Sequence, residues 1–201
     1  MDACTHTINF MSTIVIGDML VPNAYSISYS FRVNTANFEE QNVAFGRIKH
    51  LFETRVENSL FISRKHSKWK TLSKMANNLF VMPCEPMDFP VACALFNKIQ
   101  AVVEDKFQIV ALQLSSVVGD EVEYLITLDD VDEMNEFLKD MPDKDIWWTE
   151  STPNINKLQS YVSWKPVGLD WQTNAGKRST TKIAKVVHFN PNIINGGKKT
   201  A

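Results

Sequence analysis

The chain has 201 residues, 44% of them hydrophobic and 22% charged, with a formal net charge of −2. That length builds one large domain with a substantial core, and with only 7 glycines and 8 prolines the composition of long disordered linkers is missing. A charge near zero excludes bulk attraction to nucleic acid or to a membrane surface.

Cys4, Cys84 and Cys93 are odd in number and have no C-x-x-C spacing, so free thiols in a reducing compartment are expected rather than a disulfide framework. The first residues lack a basic stretch followed by an apolar one, so no secretory signal is read. No apolar run approaches the ~20 residues that cross a bilayer. The expectation is a cytoplasmic protein with no membrane partner.

In chain order, the clearest strand is 25–33. Tyr25, Ile27, Tyr29, Phe31 and Val33 alternate with three serines and Arg32, which places every apolar side chain on one face. A helix follows, with Asn37 as its cap and Glu40 closing a capping box. Phe38, Gln41, Phe45, Ile48 and Phe52 form its stripe, aimed at the tyrosine face. Residues 60–62 are a short apolar piece. A basic run then carries Arg64, Lys65, His66, Lys68, Trp69, Lys70 and Lys74.

Residues 79–82 read as a buried strand ended by Pro83. Asp88 is expected to cap a second long helix with Pro90 in its first turn and Val91, Leu95, Ile99 and Val102 inward. A hairpin follows. Residues 107–116 are apolar on both faces, as in a central strand, Gly119-Asp120 makes the turn, and 122–128 return. Asp130 and Glu133 suit another capping box, opening a helix with Met134, Phe137 and Leu138 inward. From 145 the periodicity fades, and Trp147, Trp148, Trp164 and Trp171 crowd an irregular stretch. Residues 161–167 and 181–189 are plausible strands, and 190–201 a basic tail.

This order predicts a single α+β domain over 1–201, with its core at 21–140 and a tryptophan-rich extension over 141–189. Within it, a mixed or antiparallel sheet carries helices on one face, a ferredoxin-like sandwich being the simplest version. Glycines and repeated β-α units are too few for a Rossmann or barrel fold.

No catalytic residue is identified. Gly176-Lys177-Arg178-Ser179 lacks the earlier glycine and the hydroxyl of a phosphate-binding loop. Pro83-Cys84 lacks the second cysteine and the H-x-E of a zinc deaminase. The histidines are scattered, so neither a metal nor another cofactor is expected.

Three functional readings remain. The first is a non-enzymatic interaction or assembly protein, because charge is segregated. Residues 104–150 carry fourteen acids and three bases, 41–80 eight bases and two acids, and 171–201 six bases and no acid. A protein partner or self-association suits such segregation. Trp147, Trp148, Trp164, Trp171, Lys177, Arg178, Lys182 and Lys185 are the candidate contacts, with sealing of the core the favoured reading of the tryptophans. The second reading is single-stranded nucleic-acid binding, with Arg64, Lys65, Lys68, Lys70 and Lys74 and the basic C-terminal tail on phosphates and Trp69 stacked on a base. The third is a metal-dependent phosphoesterase on the acidic hairpin of Asp120, Glu121, Glu123, Asp129 and Asp130.

Overall fold

The computed structural model describes residues 3–76, 78–142, 146–155 and 162–171. Its strands are β1 (Cys4–Ile16), β2 (Met19–Val33), β3 (Ser59–Ser63), β4 (Leu79–Met82), β5 (Phe107–Ser116) and β6 (Tyr124–Thr127). Its helices are α1 (Phe38–Leu51), α2 (Trp69–Met75), α3 (Asp88–Val103) and α4 (Val131–Leu138). The strands form one sheet in the order β4-β3-β1-β2-β5-β6. β1/β3 and β3/β4 pair in parallel, the other neighbours antiparallel. The class is α+β with a mixed sheet, as the element order implied. Six strands with two parallel pairs exceed the β-α-β-β-α-β chain of a ferredoxin-like unit.

The sheet is built around a hairpin that opens the chain. Ile16 pairs with Met19 across a loop of Gly17 and Asp18. Gly17 has φ 55, a backbone that suits glycine at the first central position of a two-residue hairpin turn. β2 is the strand expected from its alternation: Tyr25, Ile27, Tyr29 and Phe31 are all buried. Aromatic pairs carry the core across the strands: Phe10 stacks on Tyr25, Phe31 on Phe107 and Phe61 on Phe80, with centroids 4.6–4.9 Å apart. α1 and α3 pack on this face and on each other. Phe31 meets Phe45 edge-on, and Val91, Leu95, Ile99 and Val102 are fully buried.

β3 and β4 are covered on both faces. Phe61 and Phe80 point toward the aromatic core, while Ile62, Leu79 and Val81 point the other way and are buried as well. α2 carries the chain from β3 to β4, and α3 carries it back across the sheet to β5. Both link parallel strands in opposite directions, so right-handed crossing sets them on opposite faces. Helices therefore flank both faces at this end of the sheet, a departure from helices on one face alone. Elsewhere the second face is open. There Thr5 bonds Ser30 and Thr7 bonds Ser28 across exposed hydroxyls.

Three caps differ from expectation. Asn37 does accept from the Glu39 amide, but Glu40 takes the Thr35 hydroxyl instead of closing a box. Asp88 is the first helical residue, not the cap. It is buried, and the Ser116 hydroxyl bonds its carboxylate at 2.7 Å. Thr127 rather than Asp130 opens the α4 region, and Asp130 accepts from the Thr127 amide at 2.8 Å.

Candidate interaction surface

The basic run lies at the carboxyl ends of the parallel strands, where α/β sheets place ligand crevices. A pocket of about 610 Å³ there is lined by Val15, Gly17, Asp18, Ser63, Lys65, His66, Ser67, Cys84 and Glu85. Its cations are largely engaged. Lys68 pairs with Asp18 at 3.0 Å and Lys65 with Asp140 at 3.5 Å. His66 Nδ1 accepts from the Lys68 amide and Nε2 faces the Gly17 carbonyl at 2.8 Å. That arrangement selects the Nε2–H tautomer and engages both ring nitrogens with the backbone. Burial pushes the Cys84 thiol up despite nearby Lys65, the reverse of an activated nucleophile. Lys70 and Lys74 are exposed, Arg64 and Trp69 half-buried, and Trp69 packs against the core. The structure thus gathers Lys65 and Lys68 at one rim but balances them with acids.

The tryptophans are inside the fold. Trp147, Trp148 and Trp164 are 1%, 3% and 6% exposed, and Trp171 packs partly buried on the core. Trp147 donates Nε1–H to the Val81 carbonyl at 2.9 Å and meets Phe80 edge-on, sealing the outer edge of β4. These positions support core sealing rather than partner contacts, because a hot-spot indole must reach its partner. Residues 162–167 also depart from the expected strand, since Lys165–Val167 form a 3-10 turn. Lys177, Arg178, Lys182, Lys185 and the 181–189 strand lie outside the described residues.

Two buried cations hold this region, and sequence reasoning did not single out either. Lys98, fully buried on α3, points Nζ at the carbonyls of Trp147, Glu150, Thr152 and Asn154 at 2.7–3.1 Å. Burial pulls its ammonium down to about 7, while the carbonyl dipoles favour the charged form. Arg47, 2% exposed on α1, bonds the carbonyls of Leu169 and Val102 and the Glu104 carboxylate. Its guanidinium lies 3.8 Å from the Trp171 ring centre and 4.9 Å from that of Trp164. A charged residue on the apolar side of an amphipathic helix was the available signal in both cases. Lys98 and Arg47 both spend these bonds on groups of the fold itself, which is a structural use of each cation.

The remaining surface of interest is the N-terminal half of β1. β3 pairs only with Ser12, Thr13 and Ile14. Met11 is met by Glu57 and Asn58. From Cys4 to Phe10 the strand has no neighbour on that side among the described residues. The hairpin register directs even-numbered residues of β1 toward β2, so Thr5, Thr7 and Asn9 turn N–H and C=O outward. The contacts of Met11 on that same side fit this parity. Beneath the edge is a pocket of about 450 Å³ between β1 and α1, lined by His6, Ile8, Tyr29, Phe45, Gly46, Ile48, Lys49, Phe52 and Glu53.

Among the described residues no three of His, Cys, Asp and Glu converge as a metal site, and no helix is long and apolar enough to cross a membrane. No family model and no curated protein matches the chain. Among solved structures, the uncharacterized protein WS1659 from Wolinella succinogenes is similar at a TM-score of 0.47 and 6% identity. The match covers 63% of this chain and 98% of that one.

Proposed function

We propose that the chain is a non-enzymatic interaction protein that docks partners by strand addition at the free edge of β1. The observation that carries this reading is the pairing of an edge that has no neighbour among the described residues with an apolar groove beneath it. Main-chain groups at an edge supply affinity, and a groove takes alternate side chains. Edges are ordinarily blunted by lysine, proline or a bulge. Residues 3–17 contain none of these and no Asp, Glu, Lys or Arg.

Exchange of the Thr5, Thr7 and Asn9 amides in the dilute full-length chain tests it. A synthetic peptide of alternating threonine and valine should slow these amides and perturb Ile8 and Phe45. Unchanged exchange at saturating peptide would remove the reading.

Charge-guided assembly through the acidic 104–150 region remains compatible with this proposal. The nucleic-acid reading draws less support, because Lys65 and Lys68 are neutralised within the fold. The phosphoesterase reading draws less still, because the Asp130 carboxylate accepts from the amide and hydroxyl of Thr127.

A further inference from the structure

We propose that the β1 edge pairs with the same edge of a second copy, forming a two-fold dimer with one continuous sheet. This rests on the strand-addition reading and names its partner. Three observations select a second copy over a foreign strand.

The first is hydrogen-bond parity. The free edge runs from Cys4 to Phe10, so a two-fold that uses all of it passes beside Thr7. Thr7 then faces Thr7, and Thr5 faces Asn9. In an antiparallel pair, residues that both turn their amides outward exchange both bonds. Every outward N–H and C=O of Thr5, Thr7 and Asn9 is thereby matched, with no slip and no group left over.

The second is side-chain fit. A two-fold perpendicular to the sheet keeps each face on its own side. The polar row of Thr5, Thr7 and Asn9 continues across the junction. On the groove side His6 comes opposite Ile8, and Cys4 opposite Phe10, so each copy lays small or apolar side chains over the other's groove. No Asp, Glu, Lys or Arg lies in this segment, so the symmetric contact brings no like charges together in the strands.

The third is the rim. Lys49 and Glu53 border the groove, pair with each other at 3.7 Å and are 73% and 63% exposed. An isologous contact presents the same patch from both copies, so each copy brings to the junction a rim of one cation and one anion rather than a single sign of charge. The remaining sheet edges offer no comparable surface. Trp147 seals β4, and β6 is four residues long and flanked by Glu123 and Asp129.

Thr7→Pro is the discriminating variant. The Thr7 amide points away from β2, and proline is tolerated at an edge position facing solvent. The monomer should keep its circular dichroism and unfold cooperatively, while the dimer is lost. Sedimentation of the full-length wild type should show a dimer at ~100 µM that dissociates on dilution, as mass action requires. Cys4→Ser combined with Thr7→Cys should cross-link quantitatively under mild oxidation, because facing residues of such a pair lie within disulfide reach.

A wild type that stays monomeric throughout, a folded Thr7→Pro protein that still dimerises, or a position-7 thiol that never cross-links would each overturn the proposal. A monomer whose β1 amides are still protected by the threonine-valine peptide would overturn the dimer alone and leave strand addition standing. A monomer indifferent to the peptide would remove both.

Discussion

Lys98 shows how one buried charge sets both structure and pH response. Its four carbonyls come from one stretch of chain, Trp147 to Asn154, so the ammonium gathers an irregular segment that has no ladder of its own. Lys98→Met keeps the length and removes the donor. Leaving buried acceptors unpaired should lose about 2–4 kcal/mol. The sign of the pH effect follows from the two pKa values. On folding the ammonium moves from 10.5 to about 7, so between those values the unfolded chain binds more protons and stability rises with pH. The stability gap between wild type and Lys98→Met, read from urea midpoints, should therefore widen from pH 7 to pH 10; a gap that narrows would contradict it. Arg47 acts similarly for residues 164–171. Lysine in its place keeps the charge but loses the planar fork and the stacking on two indoles. Arg47→Lys should lose about 1–3 kcal/mol, with a red shift in tryptophan emission as Trp164 and Trp171 become wetter.

At the scale of elements, the edges of the sheet are treated differently. The Trp147 indole gives β4 both a ring against Phe80 and a donor to the Val81 carbonyl. Trp147→Phe retains most of the ring and loses the donor, which should cost about 1–3 kcal/mol in chemical denaturation. What the sequence disclosed about these elements follows the strength of the period. β2 and α3 were legible because their apolar stripes are unbroken, and β2 could be assigned its buried face residue by residue. β1 was not, although it is thirteen residues long. Its inward row includes His6 and Ser12, and its outward row is threonine and asparagine, so the hydrophobic contrast between faces is low over the half that forms the candidate site. The weak amphipathic signal and the unpaired edge have one cause, since a strand that packs on only part of its length needs fewer apolar residues. The caps failed for another reason. A side chain such as Asp88 satisfies the local motif for a cap, but Ser116, distant in sequence, offers a buried hydroxyl that takes it instead. The tryptophans were placed in an irregular segment with core sealing as the favoured reading, but Arg47 and Lys98, which hold that segment in place, are groups that no local pattern reveals.

For the whole molecule, the question is whether charge or backbone governs assembly. The sequence segregates charge strongly, yet the fold spends part of it internally. Arg47 and Lys98 are buried, Lys65 meets Asp140 and Lys68 meets Asp18. The acids that remain in 104–150 and the bases Lys177, Arg178, Lys182, Lys185, Lys198 and Lys199, which lie outside the described residues, would pair as unlike segments. Such contacts are heterologous and lead to rings or open chains. They also weaken as added salt shortens the Debye length from about 10 Å at 0.1 M toward a few ångströms. A junction of β1 with β1 behaves otherwise. Its bonds are main-chain and its strands carry no Asp, Glu, Lys or Arg, and the exposed Lys49 and Glu53 pairs add little. It is isologous, so growth stops at two. Sedimentation equilibrium at ~0.05 M and ~0.5 M salt separates the cases, because screening differs several-fold between them. Backbone pairing predicts a species that ends at dimer, with an association constant that changes less than about tenfold, or 1.4 kcal/mol. Species beyond the dimer that dissolve at high salt would instead assign assembly to the charged faces and leave the β1 edge without a role in it.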